Sequence, residues 1–248
     1  MFDFKIKLHR NYLPAYASDQ KLFILIQIDS EKNAYLENND IFDVYLNISL
    51  VINVKINRIS GIYPMLTEIA LSSTPFFIGK INTLDAYIFL VEMAVSEHKP
   101  GRVKLSEIYL IYNSEKVKDA SNIIKTPYEE LIVEYVSDNN SQIYGTDKEV
   151  MYYIQQRNIC FMIEQAENEV AKNANKAIDI LKSAMKTATV INNTSMTMIL
   201  DKAIKDIEYN KASKNATLKT LKTDVKTHTV RFNKNIFTDE EIKKITGV

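Results

Sequence analysis

The hydrophobic pattern of this 248-residue chain changes its period once, near residue 140. Before that point apolar residues recur at every second position, as expected of half-buried strands. After Gly145 they recur at every third or fourth position, which is typical of amphipathic helices. The sequence therefore predicts an α+β fold, in which an N-terminal antiparallel β-sandwich over residues 1–140 is followed by a small antiparallel helical domain.

Seven to nine short strands are predicted in the first part of the chain. Residues 22–28 (LFILIQI) are almost all apolar, which indicates a central strand covered on both faces or a buried edge strand. Turn chemistry at Ser60–Gly61, Pro75, Gly79 and residues 99–101 separates the later strands. The other predicted strands are residues 2–8, 42–50, 54–59, 66–71, 76–78, 85–95, 102–112 and 129–136. This spacing favours a β-sandwich, with a barrel as the alternative.

Three helices are predicted over residues 146–210. Their predicted N-termini are Thr146 or Asp147, then Asn173 or Asn175, then Thr194 or Ser195, all residue types that cap helices. Because the connections between the helices are short, we expect them to pack antiparallel.

Residues 211–248 form a predicted basic, Thr-rich tail that ends in a short helix over residues 238–245. One interpretation is a strip that contacts phosphate, nucleic acid or a partner protein. Its residues are Lys219, Lys222, Lys226 and Arg231. Another is a phosphorylation target, since each phosphothreonine adds about −1.5 to −2 charge. Its residues are Thr220, Thr223 and Thr227. The third is an extended edge strand whose inward residues are Leu221, Val225 and Val230.

Composition excludes several classes of protein. The formal net charge is zero, so no overall field attracts nucleic acid or an anionic membrane. The single Cys160 excludes an internal disulfide and a Cys-based zinc cluster. No apolar run is long enough to span a bilayer, and the N-terminus lacks the apolar stretch of a secretory signal. We therefore expect a cytoplasmic protein.

No catalytic constellation is present in the sequence. His9, His98 and His228 have no partner at the spacing of metal ligands. Cys160 lies in the apolar pattern of the first helix without a nearby histidine, which predicts a core position. The sequence also lacks the glycine-rich nucleotide-binding and nucleophile motifs. We predict no catalytic residue, no metal, no cofactor and no enzymatic activity.

Four stretches, taken in order, resemble one group of bacterial proteins that contain a von Willebrand factor A (VWA) domain. In that group a strand pair precedes the VWA domain, and the chain then completes a β-sandwich and ends in helices and a basic Thr-rich tail. The matching stretches are residues 8–13 with the following strand, 54–64 (VKINRISGIYP), 99–112 (KPGRVKLSEIYLIY) and 149–230, which ends in LKTLKTDVKTHTV. The resemblance implies the same frame with the VWA domain itself missing.

The polar residues 29–40 (DSEKNAYLENND) lie where the VWA domain would be inserted. VWA domains of this kind bind a divalent ion through an Asp-x-Ser-x-Ser loop, and this chain contains no such loop. Because of this departure from the family pattern, the metal site of that group is not expected in this chain. If a domain is missing here, the strands at residues 22–28 and 42–50 should belong to one sandwich, without having to be hydrogen-bonded neighbours.

The expected function is a non-enzymatic scaffold or assembly subunit that binds protein, either a second copy or another chain. Contacts are expected at strand edges such as residues 2–8, at an outer sheet face bearing tyrosine, or at the helical block. Tyr109 and Tyr112 are three residues apart on one predicted strand, so their side chains fall on opposite faces and only one of them can lie on that outer face. The alternative is a regulatory module that docks a phosphorylated or acidic partner through the basic tail.

Overall fold

The computed structural model describes residues 2–30, 41–82, 85–114, 123–137, 145–209 and 214–233. The chain divides into two compact units. The first comprises Met1–Gly61 and Glu68–Val150, and the second comprises Ile62–Thr67 and Met151–Val248.

The strands form two sheets. Their bounds are β1 (Phe2–Leu8), β2 (Tyr12–Pro14), β3 (Gln20–Ser30), β4 (Ile41–Leu50), β5 (Val54–Tyr63), β6 (Thr67–Ile69), β7 (Phe76–Asn82), β8 (Tyr87–Val95), β9 (Gly101–Ser114), β10 (Ile124–Lys125) and β11 (Glu129–Val136). One sheet has the order β1-β3-β8-β5-β6, and the other has the order β2-β11-β9-β4-β7 with β10 paired to β9. The predicted sandwich is confirmed, because two separate sheets share one apolar core.

Alternation along the strands decides which side chains enter this core. Ile24 and Ile26 of β3, and Val44 and Leu46 of β4, are fully buried in it. Strand β3 is central, between β1 and β8. Leu25 points away from the core cluster and is nevertheless only 1% exposed. The strand is therefore covered on its outer face at Leu25, whereas Phe23 and Gln27 on that face are half-buried.

The two strands that flank residues 29–40 belong to the same sandwich. Strand β3 lies in the first sheet and β4 lies in the second, so they are not hydrogen-bonded neighbours. Both fall in the first compact unit and contribute to its core. The two strands thus share one sandwich without pairing, as predicted, whereas the loop at residues 31–40 lies outside the described residues and the insertion itself stays a prediction.

Two predicted turns are wrong. Strand β5 continues through Ser60 and Gly61, where the buried Ser60 hydroxyl donates to Glu68 Oε1 at 2.9 Å. Gly79 lies within β7 rather than after it, at a register shift where Val44 faces Gly79 and Tyr45 faces Phe77. Its φ of +122° is readily adopted by glycine and rarely by residues with a side chain. Gly79 therefore forms part of a β-bulge.

Two short strands were missed. Strands β2 and β10 contain three and two residues, too few for an alternating pattern. Strand β2 pairs with β11 in parallel, so this edge departs from the antiparallel pairing that β11 makes with β9 on its other side.

Four helices are described: α1 (Lys148–Val170), α2 (Ala174–Val190), α3 (Thr194–Glu208) and α4 (Lys214–Thr227). Asp147 and Asn173 cap α1 and α2 as predicted, each side chain accepting from a backbone N–H three residues later, at 3.0 and 3.1 Å. Helix α3 is capped by Asn193 rather than by Thr194 or Ser195, through a 3.0 Å bond from the Met196 N–H. No helix among the described residues is long and apolar enough to cross a membrane.

Helix α4 replaces the extended edge strand considered for the tail. Leu218, Leu221 and Val225 are buried at helical spacing. Val230, expected to face inward, is instead 41% exposed beyond the end of the helix. The error has a physical cause, since threonine-rich segments have low helix propensity and packing of one apolar stripe overrides it. The predicted terminal helix at residues 238–245 lies outside the described residues.

Candidate functional site

Strand β1 is an edge strand. Among the described residues it pairs with one strand only, β3, with Ile6 opposite Ile26. In the same register, the His9 N–H donates to the Phe23 carbonyl at 3.0 Å. Backbone direction alternates along an antiparallel strand, so Ile6 and Leu8 turn their N–H and C=O groups away from β3. These groups lie on what we call the open edge of β1.

A groove of about 540 Å³ lies beside the open edge. Its lining comprises residues 6–11, 129–132 and 145–147. Strand β2 pairs with β11 only at residues 134–136, so residues 129–132 of β11 have β9 as their one partner among the described strands. The groove is thus bordered by edges of β1 and β11, and an exposed strand edge of this kind can pair with an added extended segment.

Polar contacts fix the walls of this groove. The Lys7 ammonium pairs with the Glu149 carboxylate. The Asp147 N–H donates to the His9 carbonyl at 2.7 Å, which holds the chain before α1 against the β1 corner. Arg10 donates to the Lys21 carbonyl at 2.9 Å. The lining is therefore ordered and carries both signs of charge.

His9 is a buried neutral residue rather than a ligand. The Phe23 N–H donates to its Nδ1 at 3.0 Å, which requires that this nitrogen carry no proton. Burial first, and then the neighbouring Arg10 charge, lower the pKa of His9 from 6.5 to about 4, while the Phe23 backbone offsets part of the shift. At neutral pH the ring is uncharged and braces β1 against β3.

The other sheet edges carry features that oppose strand addition. Strand β7 contains the bulge at Gly79 and the exposed Lys80. Strands β2 and β6 have only three residues each. Bulges, exposed lysines and short strands are the usual means by which sheets avoid edge pairing. Among the edge strands of the described residues, β1 has seven residues in regular pairing with β3 and none of these features.

The predicted tyrosine-bearing outer face exists on the six-stranded sheet. Tyr45 packs on Phe77 with ring centroids 5.2 Å apart, and Phe77 is 48% exposed. Tyr109 lies on the same face under the Lys125 ammonium, 6.0 Å from the ring. Tyr112 points the other way into the core, 5.0 Å from the ring of Phe2. Tyr109 and Tyr112 are therefore on opposite faces.

The second unit holds an extended stretch of its own chain, residues 228–233, which we call the docked segment. The Gln156 amide both accepts from the Val230 N–H at 3.0 Å and donates to the Val230 carbonyl at 2.7 Å. Asn193 donates to the His228 carbonyl at 3.2 Å, and Tyr153 Oη accepts from the Phe232 N–H at 3.0 Å. Helical side chains thus bind the segment through its backbone.

Sequence reasoning missed this group because a single glutamine in an apolar helix pattern gives no signal by itself. Gln156 and Asn193 are each 1% exposed, in contrast to most residues of their types. Tyr153 was assigned to the helix core, which is correct for its ring. Burial also raises the pKa of the adjacent Tyr152 to about 12, so that hydroxyl stays protonated.

Three of the four predicted basic contact residues lie on α4, at spacings of three and four residues that place them on one side of the helix. Lys222 pairs with Glu167 at 3.1 Å and with Glu164 at 3.5 Å, and the Glu167 hydrogen bond raises the pKa of Lys222. Lys219 and Lys226 lie on α4 with it, and Arg231 lies in the docked segment over the Tyr63 ring, 5.8 Å away. Phosphate contact by these residues stays a prediction.

The three predicted phosphorylation sites lie on α4, at residues 220, 223 and 227. Thr223 Oγ1 donates to the Lys219 carbonyl at 3.1 Å, and Thr227 Oγ1 donates to the Asp224 carbonyl at 2.9 Å. Thr220 is exposed on the same helix. Their modification also stays a prediction.

The described residues contain no group of three His, Cys, Asp or Glu side chains that could hold a metal ion. His98 contacts the Lys99 carbonyl on a turn, and His228 contacts the Asp224 carbonyl at the end of α4. Cys160 is half-buried on α1. Each of the three histidines thus has a hydrogen bond to a backbone group, and the three lie far apart in sequence.

No family model matches this sequence, and a search of curated proteins finds no match. Among solved structures, the chain is similar to von Willebrand factor type A from Catenulispora acidiphila, with a TM-score of 0.59 and 14% identity. The likeness covers 79% of this chain and 48% of that chain, so this chain spans about half the length of the structure it matches.

Weaker likenesses include BcpA, the major pilin subunit of Bacillus cereus, and a cohesin module from Clostridium perfringens. The pilin has a TM-score of 0.38 at 10% identity, over 55% of this chain and 41% of that one. The cohesin module has a TM-score of 0.35 at 7% identity, over 54% and 96%. Of these three comparisons, the one with the VWA protein has a TM-score above 0.5 and bears on the fold. This chain therefore folds like part of a VWA-type structure.

Proposed function

We propose that this chain is a non-enzymatic scaffold or assembly subunit that binds protein through the open edge of β1, either to self-associate or to form a hetero-complex. It is related in fold to VWA-containing proteins and lacks their metal-binding domain. Catalysis and cofactors have no part in this proposal.

The observation that carries the proposal is the seven-residue edge of β1 beside a groove of about 540 Å³. The groups of Ile6 and Leu8 that point away from β3 offer a partner strand both donors and acceptors. Each backbone hydrogen bond gained contributes about 0.5–1.5 kcal/mol net, so contacts of side chains in the groove must supply further affinity.

Charge on β1 indicates the chemistry of the partner strand. Lys5 is exposed, and Lys7 lies on the same face of the strand in an ion pair with Glu149. Side chains directly opposite on neighbouring strands interact, and opposite charges there are favourable. A partner strand with an acidic residue opposite Lys5 fits this edge best, because the Lys7 charge is already balanced by Glu149.

The relation to VWA proteins rests on where the sandwich is interrupted. Residues 31–40 follow β3 in one sheet and precede β4 in the other, as expected if the polar stretch at residues 29–40 replaces an inserted domain. The coverage of 48% of the matched structure agrees with this interpretation. What remains is the frame on which such proteins present their VWA domain, and a frame alone can serve assembly.

The test is an Ile6→Pro substitution, with Ile6→Ala as the matched control. Proline removes the N–H on the open edge but leaves the β1–β3 hydrogen bonds, which Ile6 does not make. Alanine keeps the N–H and loses comparable apolar side chain. Sedimentation velocity at several concentrations should show concentration-dependent association of the wild type. The association constant should fall at least about tenfold in Ile6→Pro and much less in Ile6→Ala.

Two outcomes contradict the proposal. One is a wild-type chain that stays monomeric at every concentration and captures no protein from a cell lysate. The other is association that responds equally to Ile6→Pro and Ile6→Ala, because the backbone edge would then have no role in it.

A further inference from the structure

The docked segment is bound through its backbone by side chains of the helical unit, and its own Thr229 hydroxyl donates to the Pro64 carbonyl at 2.9 Å. One side chain, the Gln156 amide, meets both the N–H and the carbonyl of Val230. Asn193 meets the carbonyl of His228, and Tyr153 meets the N–H of Phe232. The bound residues are 228, 230 and 232, which is the period of an extended peptide.

The groups that bind the segment are buried and held in position. Asn193 is oriented by its second bond, because its Oδ1 accepts from the Met196 N–H while its Nδ2 donates to His228. Gln156, Tyr153 and Asn193 are each only 1% exposed. Polar groups at this depth are preorganised for a partner and unfavourable without one.

The segment itself has the character of a ligand. It belongs to no helix or strand, and Val230, Arg231 and Asn233 are exposed. Two side chains add sequence preference, with Arg231 over the Tyr63 ring at 5.8 Å and Phe232 against Tyr152 at 5.4 Å. Backbone contacts accept many sequences, and these two contacts select an arginine followed by an aromatic residue.

We propose that Gln156, Asn193 and Tyr153 form a binding groove for an extended peptide, and that residues 228–233 are its internal ligand. The external ligand is a segment of another chain with an apolar residue, an arginine and an aromatic residue in succession. Because an empty groove would leave buried polar groups unsatisfied, the internal segment is exchanged for the external peptide rather than simply lost. This site is separate from the open edge of β1 and does not depend on the function proposed there.

The internal segment competes with any external peptide. A tethered ligand has an effective concentration in the millimolar range, so a free peptide binds the wild type weakly. Weakening the internal segment should therefore expose the intrinsic affinity of the groove.

The test uses the full chain carrying Val230→Pro and Phe232→Ala, the released variant. Proline removes the N–H that meets Gln156, and alanine removes the ring that packs on Tyr152. The probe is a fluorescent peptide of residues 227–234, Thr-His-Thr-Val-Arg-Phe-Asn-Lys, followed by anisotropy. It should bind the released variant at least about tenfold more tightly than the wild type, since the competitor is weakened.

Gln156→Ala in the released variant should reduce peptide affinity at least about tenfold, because two backbone hydrogen bonds are lost. Gln155→Ala is the matched control. Gln155 is the neighbouring residue of α1 and bonds Asn158 instead, so affinity should change less than about twofold. A scrambled peptide should not bind.

Absence of peptide binding to a released variant with wild-type circular dichroism overturns the proposal, as does equal loss from Gln155→Ala and Gln156→Ala. Hydrogen exchange on the wild type gives a second test that needs no variant. The amides of Val230 and Phe232 should exchange at least about tenfold faster than those of α1, since the segment must open without unfolding the helices. Equal protection would make the segment an integral part of the helical unit and would also overturn the proposal.

Discussion

Replacing His9 by asparagine should make the stability of the sandwich less sensitive to acid. His9 is 7% exposed and accepts the Phe23 N–H at Nδ1, and an asparagine oxygen can accept the same bond without taking up a proton. The pKa of His9 falls from 6.5 to about 4 in the folded chain. The unfolded chain therefore binds more protons between these two pH values. The stability present above pH 6.5 is lost as the pH falls toward 4.

The size of the effect follows from that shift. A difference of about 2.5 pKa units, at 1.36 kcal/mol each, corresponds to about 3 kcal/mol lost between pH 7.5 and pH 4. Between pH 7.5 and pH 4 the free energy of unfolding should therefore fall by about 3 kcal/mol more in the wild type than in His9→Asn. Protonation of carboxylates also lowers stability over this range, but it does so equally in both proteins.

The measurement is urea unfolding across that pH range, followed by hydrogen exchange of the β3 amides so that the sandwich alone is monitored. His98→Asn, on the exposed turn, makes the same replacement at another histidine and serves as the control. Parallel pH profiles for the wild type and His9→Asn, or a His9 ring that titrates near pH 6.5 by NMR, would refute the reasoning.

Three further predictions concern the caps, metal binding and the chain between elements. Asn173→Ala should lower the free energy of unfolding of the helical unit by about 1 kcal/mol in thermal circular dichroism, because the cap of α2 is lost, whereas Asn175→Ala should not; equal effects would contradict the cap assignment. Calorimetry with magnesium, manganese and calcium should be flat, since the sequence has no Asp-x-Ser-x-Ser loop; a stoichiometric micromolar isotherm would show that a site exists. Limited proteolysis should cut first within residues 29–40 or 137–148, which are polar and poorly patterned; early cuts inside Ile41–Leu50 would contradict the strand assignment.

The sequence alone determined much of the sandwich because strand formation leaves a local signal. Alternation over Phe2–Leu8 and Glu129–Val136 predicted both strands with their observed bounds. The continuous apolar run around Leu25 predicted a strand buried on two faces. Charge on alternate residues of β1 also indicated that one face of the strand is exposed. These properties depend on neighbouring residues in one strand, so no knowledge of the rest of the chain is needed.

The groove beside β1 could not be predicted in the same way. It exists because β2 covers only residues 134–136 of β11 and leaves residues 129–132 uncovered on that side. A three-residue strand has no hydrophobic pattern of its own. Its parallel pairing with β11 depends on where residues 9–11, which follow β1, place β2 in the fold. Sheet membership and strand overlap are non-local and are decided by tertiary packing.

Helix α4 and the docked segment depended most on tertiary structure. Leu218, Leu221 and Val225 have helical spacing, but the intervening threonines favour extended backbone, and only burial of the apolar stripe resolves the conflict. Gln156 and Val230 are 74 residues apart in sequence. A buried amide is stable only where folding supplies its partner, and which backbone becomes that partner is fixed by the path of the chain in three dimensions.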